Sequence, residues 1–520
     1  MTRKNFLDNY FFILSALFIL LVAYLPILHT DYIFHDDVHY FANSWDKKSC
    51  DGYSQLNAYI YNYVRPVGGY IKCFYGMTFD TIPQAKYVRL FNVSVILLIY
   101  VILLQDLLSY CGVRKFESQV IAILTVLLLP YQTPMVQITN IHHIFAAIMT
   151  LFCTKRSIKL YFSDEKCRLS KIIYINVVLL SVMSLAVLAY PPSVMLYFVF
   201  CGIYFILKID KLNLPIVKKF AWQLFPVLFS MLVAFAWSKI YGGSDERSQI
   251  SMDFAAKAQW FIFSVLPKTF YFWDVFASKY FLYISAAILT LFVVSFFYQN
   301  RNNLKSQWLQ FTIKPIAIIL ILIAAFLPML ITSGFHSEFR VMIAISSFVL
   351  FCVVLALFYA IRFFIRQEIY QEMMIKTSSF LLIITAVFYT NSNLDKYYAR
   401  QLNNTYNFLK YSFSKVDWND TKKNKVHIVL SKLPYQTQSF FNDEFGIPTT
   451  YWKDDVIPLS IAIANEMNFP INWERVSSEV LITTGTVDEI LIGPLKGKKS
   501  VGRVIIDTNK MLIPVGDMLF

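Results

Sequence analysis

Residues 10–40 read YFFILSALFILLVAYLPILHTDYIFHDDVHY, an apolar run over 10–28 followed closely by two adjacent acids, Asp36 and Asp37. A run of about 20 apolar residues is long enough to cross a bilayer as a helix. We therefore expect a first membrane span here, with the acidic pair emerging just beyond the hydrocarbon. Basic residues precede the run and no small-residue cleavage site follows it, which favours a retained anchor over a removed signal peptide.

The rest of the chain repeats this apolar pattern. Hydrophobic residues make up 57% of the 520 residues, charged residues 15%, and the mean hydropathy is +0.52. A soluble enzyme, a disordered chain and a disulfide scaffold are excluded, because a water-exposed surface of this size needs more charge. Further apolar runs cover 90–108, 116–131, 136–153, 172–190, 194–207, 220–240, 280–298, 315–331, 341–360 and 374–389. The sequence predicts a polytopic α-helical membrane protein with about 11 transmembrane helices.

Lysine and arginine collect on one side of the predicted membrane. With the N-terminus inside, the cytoplasmic loops 1–9, 110–117, 154–171, 208–219, 298–314 and 361–376 hold 20 Lys/Arg in 80 residues. The opposite loops, 31–89, 131–135, 190–193, 241–277 and 333–340, hold 10 in 113. Because cytoplasmic loops are enriched in basic residues and the number of spans is odd, we expect the N-terminus inside and the C-terminus outside.

The charge distribution and the cysteine spacing indicate which binding partners and cofactors to expect. The formal charge of +14 follows the loop pattern, and no basic stripe alternates with stacking aromatics, so nucleic acid is not expected as a partner. The seven cysteines lack CxxC or Cys/His ligand spacing, so no metal or other cofactor is predicted, although a divalent ion stays open. Cys50 and Cys73 fall in the first outer loop and either pair or remain free thiols.

Two domains follow from the change in composition near residue 390. Residues 1–390 form the predicted transmembrane module, with 31–89 as a large first outer loop containing interfacial helices. Residues 391–520 alternate short strand-like runs with Pro and Gly, which predicts a small outer domain of mixed α/β type. We find no internal repeat, which weakens an inverted-repeat transporter interpretation.

The acidic pair is the first candidate for chemistry. Carboxylates at a lipid boundary lose hydration, and adjacent acids repel each other, so one pKa is expected to rise toward the range of a general base. The alternative is an acidic turn in which Asp37 caps the following helix. These residues alone do not decide whether Asp36 and Asp37 have a catalytic or a structural role.

Three arginines are candidates for binding a phosphate group. Arg65 opens the turn Arg65-Pro66-Val67-Gly68-Gly69, and its guanidinium suits a phosphate, although it could instead anchor in lipid headgroups. Arg340 begins the tenth span at the outer face, where it either meets a lipid phosphate or pairs with Glu338. Arg247 lies in a polar outer loop and ranks below them. No unmistakable second acidic motif occurs in a later outer loop, where Asp245, Glu246 and Glu338 are no more than candidates.

Polar side chains also fall inside the fourth predicted span. His142 and His143, with Gln137 and Asn140, lie in its outer third, where polar groups are costly. They either line a cavity or form hydrogen bonds to neighbouring helices. Tyr190 opens a tight Tyr-Pro-Pro turn that we expect to border the same cavity, together with Glu338.

The acidic pair after the first span and the Arg-Pro-Gly turn resemble the GT-C class of integral-membrane glycosyltransferases. The chain is most similar to bacterial glucosyltransferases that modify O-antigen and use a polyprenyl-phosphate-linked sugar. The architecture is shared over the whole chain, and the motif over residues 31–70. The resemblance implies that Asp36 acts as the base and Asp37 holds acceptor hydroxyls, without a required metal.

What the resemblance implies is inverting transfer of a hexose, glucose in those relatives, to a cell-surface glycan such as O-antigen of lipopolysaccharide. Donor and glycan acceptor would meet at the outer leaflet of a bacterial inner membrane, with the active site and C-terminal domain periplasmic. Two other classes stay open. A flippase or exporter of lipid-linked glycans would place ionisable residues along a path through the spans, and a membrane acyltransferase would use His142 or His143.

The topology is tested with fusions to alkaline phosphatase, which is active only outside the cytoplasm. We expect activity after fusion at position 45 or 276 and none at 115 or 305, because these positions fall in loops on opposite sides. The reverse pattern, or equal activity at 45 and 115, would contradict the predicted orientation.

Overall fold

Helices make up nearly all of the structure up to residue 414. The computed structural model describes residues 3–32, 37, 56, 58–63, 65–79, 81–162, 169–209, 214–241, 249–251, 253–274, 278–300, 308–414, 425–430, 463, 466, 480–484 and 503–507. The α-helices are α1 (Arg3–Ala23), α2 (Leu25–His29), α3 (Pro66–Gly76), α4 (Ala85–Phe91), α5 (Leu98–Tyr110), α6 (Lys115–Val126), α7 (Leu129–Val136), α8 (His142–Phe162), α9 (Leu169–Ala189), α10 (Pro191–Val194), α11 (Leu196–Lys208), α12 (Leu214–Tyr241), α13 (Phe254–Trp260), α14 (Leu266–Lys268), α15 (Ser278–Asn300), α16 (Trp308–Ala324), α17 (Leu327–Ile331), α18 (Ile343–Phe364), α19 (Glu368–Leu394) and α20 (Arg400–Ser414).

Shorter helical turns join these elements. The 3-10 helices are Ile82–Gln84, Ile138–Ile141, Thr269–Tyr271 and Phe339–Met342, and the π-helical turns are Ala58–Asn62, Asn92–Leu97, Phe261–Val265 and Asp395–Ala399.

Several helices are suited to crossing a membrane. Among the described residues, six stretches are long and apolar enough: Ile82–Tyr110, Ile172–Ala189, Pro191–Lys208, Leu214–Tyr241, Phe339–Phe364 and Glu368–Ser412. Joining α6 and α7 across a 54° bend would make a seventh, and shorter apolar helices cover Asn9–Ala23, Lys279–Ser295 and Thr312–Ala324. The chain is therefore a multi-pass helical protein by length and composition, whereas the count of 11 stays a prediction.

Proline explains where the predicted spans are interrupted. Pro26, Pro130 and Pro328 each lie in the first turn of a short helix, α2, α7 or α17, that follows a break. Proline has no N–H to donate, so it ends the preceding helix and fits the first turn of the next. Apolar runs that appear continuous in the sequence are thus divided into two helices.

The break between α6 and α7 is closed by distant parts of the chain. The carbonyl of Leu127 accepts hydrogen bonds from Gln132 Nε2 at 2.7 Å and from Thr390 Oγ1 at 3.1 Å. The N–H of Leu129 donates to the carbonyl of Phe272 at 2.8 Å. Free backbone groups inside a membrane must be bonded in this way, so α19 and the turn at Phe272 fix the bend.

Arg89 holds the chain where it leaves the first span. Its side chain is fully buried in α4 and donates from Nε to the carbonyl of Ile27 (2.9 Å), from Nη1 to Tyr32 (3.0 Å) and from Nη2 to Thr30 (3.0 Å). The guanidinium carbon also lies 3.9 Å from the centre of the Tyr32 ring. A buried charge needs such partners, so α4 fixes the start of the first outer loop.

Helix α3 packs closely against the end of α9. A Cβ atom at Gly68 would lie 2.6 Å from the carbonyl oxygen of Ala189 and 3.1 Å from Cδ2 of His142. Real Cβ atoms do not approach a backbone oxygen this closely, so glycine allows the approach. Cys73, in the same helix, is disulfide-bonded, while Cys50 lies outside the described residues.

Beyond α20 the described residues include a small parallel sheet. Strands β1 (Lys425–Leu430), β2 (Val480–Thr484) and β3 (Arg503–Asp507) pair in the order β2-β1-β3, with Val426 opposite both Val480 and Val504. Glu466 accepts hydrogen bonds from Tyr406 and Lys410 of α20. The 391–520 domain and its boundary stay predictions.

Replacing Arg89 tests the clamp on the first outer loop. Arg89→Met would leave three carbonyls without a charged donor, so we expect the free energy of unfolding to fall by about 3 kcal/mol or more, measured by thermal unfolding in detergent. The control is Lys86→Met, which removes a partly exposed pair with Asp31 at 3.1 Å and should cost at most about 1 kcal/mol. Equal, small losses in both variants would contradict the clamp.

Candidate functional site

The carboxylate of Asp37 is anchored to a 3-10 helix about a hundred residues further along the chain. Its Oδ2 accepts from the N–H of Ile138 at 3.0 Å, and its Oδ1 accepts from the N–H and hydroxyl of Thr139 at 2.9 and 2.8 Å. These N–H groups belong to the first turn of the helix Ile138–Ile141, where backbone donors lack helical partners. Asp37 thus caps a helix that is distant in the sequence.

Burial has the largest effect on the pKa of the Asp37 carboxyl. The side chain has no exposed surface, and burial raises the pKa of its carboxyl from 3.8 to about 6, although the hydrogen bonds from Thr139 and Ile138 and the charge of Arg89 oppose that rise. A buried carboxylate with three hydrogen bonds keeps its charge at neutral pH. It therefore holds the first outer loop against the start of α8.

The two histidines of α8 stand next to Tyr190. His143 stacks on the Tyr190 ring with centroids 3.6 Å apart, and His142 meets the same ring edge-on at 5.5 Å. His142 Nδ1 lies 3.1 Å from the carbonyl oxygen of Thr139, inside its own segment. The structure thus places both histidines and Tyr190 in one buried aromatic cluster beside the helix that Asp37 caps.

Arg65 lies at the turn that starts α3. Its backbone N–H donates to the carbonyl of Tyr59 at 2.8 Å, and its guanidinium carbon lies 5.0 Å from the centre of the Tyr190 ring. Pro66 occupies the first turn of α3, which fixes the direction of the helix. Arg65 is 9% exposed, so most of its side chain is packed within the protein.

A cavity of about 480 Å³ leads away from Arg65 and is lined mainly by apolar side chains. Its walls come from α9, α12, α17 and residues 249–250, and its lining residues include Val187, Leu228, Met231, Leu232, Phe235, Ile250, Leu327 and Ile331. Leu228, Leu232 and Phe235 are also largely exposed. The cavity therefore reaches the outer apolar face of the helices at α12.

A second cavity, of only about 10 Å³, shares Arg65 with the first and is lined mainly by polar side chains. Arg65, Tyr190, His336, Glu338 and Arg340 line it, with Met329 and Val341. His336 Nδ1 lies 3.3 Å from Glu338 Oε1. Burial raises the pKa of Glu338, but the hydrogen bond with His336 and the charge of Arg340 outweigh it and lower the pKa to about 2. Among the described residues, the carboxylate of Glu338 thus lines the same cavity as the guanidinium groups of Arg65 and Arg340.

Two lysines fix the loop that carries these groups. Lys257 Nζ donates to the carbonyls of Met329 at 3.3 Å and Gly334 at 2.5 Å, and Lys268 Nζ donates to the carbonyl of Ser337 at 2.7 Å. The carbonyls belong to α17 and to the loop before Arg340. Both lysines therefore bind backbone carbonyls, and Lys257 binds the carbonyl of Met329, which lines the polar cavity.

The structure brings some of the sequence candidates together. Arg65, Tyr190, Glu338 and Arg340 share one cavity, His142 and His143 adjoin it through Tyr190, and Asp37 connects to it through the helix Ile138–Ile141. Asp36, Arg247, Asp245 and Glu246 lie outside the described residues. The roles assigned to all of these residues stay predictions. Among the described residues, no group of three or more His, Cys, Asp or Glu side chains is arranged to hold a metal ion.

Sequence reasoning missed Arg89, Lys257, Lys268 and the buried Lys72, whose Nζ lies 4.7 Å from the centre of the Tyr59 ring. The sequence did contain a signal that could have identified these four residues. Basic residues are uncommon in outer loops, so a lysine or arginine there suggests a specific structural or binding role.

The raised pKa of Asp37 predicts a pH-dependent stability. Folded protein binds this proton more tightly than the unfolded chain, so the contribution of Asp37 to the free energy of unfolding is full below about pH 4 and is lost as pH rises to about 6. The loss is on the order of 3 kcal/mol. Melting curves in detergent should show it for the wild type and for Asp31→Asn, and it should be missing from Asp37→Asn; parallel curves for all three would contradict it.

Comparisons with known proteins identify similar structures but no family. No protein-family profile matches the chain, and no curated protein matches it in sequence.

Three solved structures of an Archaeoglobus fulgidus oligosaccharyltransferase are similar. That of AglB with an inhibitory peptide and a dolichol-phosphate has 12% identity and a TM-score of 0.41, covering 85% of this chain and 64% of that one. The apo form has 13% identity, a TM-score of 0.44 and coverages of 83% and 63%. The complex with Zn and sulfate has 14% identity, a TM-score of 0.40 and coverages of 83% and 60%. This chain thus spans less than two thirds of the proteins it resembles, and the likeness is too distant to assign a function.

Proposed function

We propose that the chain is a GT-C-type glycosyltransferase that moves a hexose from a polyprenyl-phosphate-linked donor to a cell-surface glycan at the outer leaflet of a bacterial inner membrane. One observation carries the proposal. Arg65 belongs both to the apolar cavity of about 480 Å³ and to the polar cavity that contains Arg340. An amphipathic donor needs this combination, an apolar wall for its chain and cations for its phosphate.

The proposed donor enters from the bilayer along α12. Its isoprenoid chain would lie against the apolar lining between Leu228 and Phe235, and its phosphate between Arg65 and Arg340. The disulfide at Cys73 supports an oxidising, extracytoplasmic side for α3. Glucose as the sugar and O-antigen as the acceptor follow from the resemblance to O-antigen glucosyltransferases.

The two acids take different roles in this proposal. Both oxygens of Asp37 already accept hydrogen bonds from Ile138 and Thr139, so Asp37 is assigned as a positioning residue. Asp36 is assigned as the base that takes the proton of the acceptor hydroxyl. The hydroxyl oxygen then bonds to the anomeric carbon while the bond from that carbon to the phosphate oxygen breaks. Polyprenyl phosphate leaves with the electron pair, stabilised by the arginines.

Transfer of labelled sugar to glycan acceptor in membranes tests the assignment. We expect Asp36→Asn to reduce the rate at least about 100-fold, because general-base catalysis contributes that much, and Arg65→Met to raise the KM for the donor. Asp37→Asn should be slower than wild type but faster than Asp36→Asn. Asp106→Asn is the matched control, because Asp106 pairs with Lys155 and neither residue lines either cavity.

The same assay separates the other two classes. Undiminished transfer in both Asp36→Asn and Asp37→Asn would reject the assignment of the acids. Movement of lipid-linked sugar across liposomes without bond formation would favour a carrier. Acyl transfer that is lost in His142→Ala or His143→Ala, with both aspartates dispensable, would favour an acyltransferase.

A further inference from the structure

His336 and Glu338 form a side-chain pair on the wall of the polar cavity. His336 Nδ1 lies 3.3 Å from Glu338 Oε1, and both residues line that cavity. Burial raises the pKa of the Glu338 carboxyl, but the hydrogen bond with His336 and the charge of Arg340 bring it down to about 2. The carboxyl is therefore ionised and can only accept hydrogen bonds. Nδ1 of His336 must carry the proton of this bond.

The other ring nitrogen of His336 is not used by the protein. Nε2 is buried, and no described group forms a hydrogen bond with it. A buried polar atom without a partner is unfavourable. Because the bond at Nδ1 fixes the ring, Nε2 is the atom that remains for a ligand in the cavity that the ring lines.

The loop that carries His336 is held on both sides of that residue. Lys257 Nζ donates to the carbonyl of Gly334 at 2.5 Å, and Lys268 Nζ donates to the carbonyl of Ser337 at 2.7 Å. The backbone of His336 lies between these two carbonyls, so its position is largely set before a ligand arrives. Less conformational entropy is lost on binding when the binding group is already in place.

The size of the polar cavity decides how much of a ligand enters it. Its volume of about 10 Å³ accommodates one atom of the size of a water oxygen. It adjoins the apolar cavity of about 480 Å³, and Arg65 and Met329 line both cavities. A phosphate group at the Arg65 end of the larger cavity would therefore place a single oxygen in the smaller one.

The groups around the small cavity favour an oxygen that accepts hydrogen bonds. The guanidinium groups of Arg65 and Arg340 can donate but not accept, whatever other bonds they make. The imidazole of His336 is charged when Nε2 also carries a proton, and negative charge at both ring nitrogens favours that form. Glu338 supplies the charge at Nδ1, and a phosphate would supply it at Nε2. The carboxylate of Asp37 does not line this cavity.

Resting on the proposed function, we propose that His336 binds the phosphate of the donor through Nε2 and that Glu338 is the residue that positions it. In the proposed reaction, Nε2–H donates to a phosphate oxygen. The bond between the anomeric carbon and the bridging oxygen breaks, the electron pair stays on that oxygen, and His336 keeps its proton. Negative charge grows on the leaving phosphate, which strengthens this hydrogen bond in the transition state.

Lipid binding to the full-length protein in nanodiscs tests the role of His336 without any transfer. The probes are polyprenyl phosphate and the corresponding polyprenol, which lacks the phosphate. His336→Ala should raise the Kd for polyprenyl phosphate about 10- to 100-fold, the range of a charge-assisted hydrogen bond, and leave the Kd for polyprenol unchanged. His336→Gln should recover part of the loss, because its amide can donate. His29→Ala is the matched control, since His29 is exposed and lines neither cavity.

Glu338→Gln separates a positioning role from a simple charge effect. Removing a negative charge next to a phosphate would by itself tighten binding. If Glu338 orients and charges His336, the Kd for polyprenyl phosphate should instead rise at least about 3-fold, and this rise should disappear when Glu338→Gln is made in the His336→Ala background. A merely structural defect does not produce such a dependence of one substitution on the other.

Three results would overturn the proposal. The first is wild-type binding of polyprenyl phosphate by His336→Ala, and the second is an equal loss of polyprenol binding in that variant, which would indicate damage to the apolar cavity. The third is tighter binding of polyprenyl phosphate by Glu338→Gln than by wild type. The proposed function fails separately, if wild type transfers no sugar, and the Kd values still decide whether His336 binds a lipid phosphate.

Discussion

The carboxylate of Asp37 joins parts of the chain that are far apart in sequence. It is held by the N–H groups that open the helix Ile138–Ile141, and so it attaches the first outer loop to the segment that begins α8. Arg89 fixes the residues just before that loop by binding the carbonyls of Ile27, Thr30 and Tyr32. Because both groups are buried and charged, each is stable only with its partners in place. Together these attachments fix the residues that end the first span and join Asp37 to the start of α8.

The electrostatic character of the site follows from how its cations are bonded. Arg89, Lys257 and Lys268 donate to backbone carbonyls, which orient these cations. Among the described groups lining the polar cavity, Glu338 is the one carboxylate. Its lowered pKa keeps it ionised, yet it accompanies both Arg65 and Arg340. Two guanidinium groups and one carboxylate of the described residues thus line a single cavity.

The amphipathic and apolar patterns predicted much of the helical architecture, because burial in lipid requires apolar residues over a defined length. Each apolar run overlaps a helix. The interruptions at Pro130 and Pro328 were less visible, since the residues around them remain apolar. The site residues were harder to predict than the helices. Arg65, Arg340 and Glu338 were identified from their positions in outer loops, whereas the hydrogen-bond partners of Asp37 were not predicted. Its ligands are backbone N–H groups, and a backbone group has no signature in a sequence. Asp36 and Arg247 lie outside the described residues, so their roles stay predictions.

The bend between α6 and α7 bears on how the protein is made. Its open backbone groups are satisfied by Phe272 and Thr390, which the ribosome supplies only after most of the helices have already emerged. Until then the nascent chain carries an unfinished kink beside the segment that leads to Asp37's binding partners. The bend therefore reaches its final hydrogen bonding only once α19 has brought Thr390 to the carbonyl of Leu127.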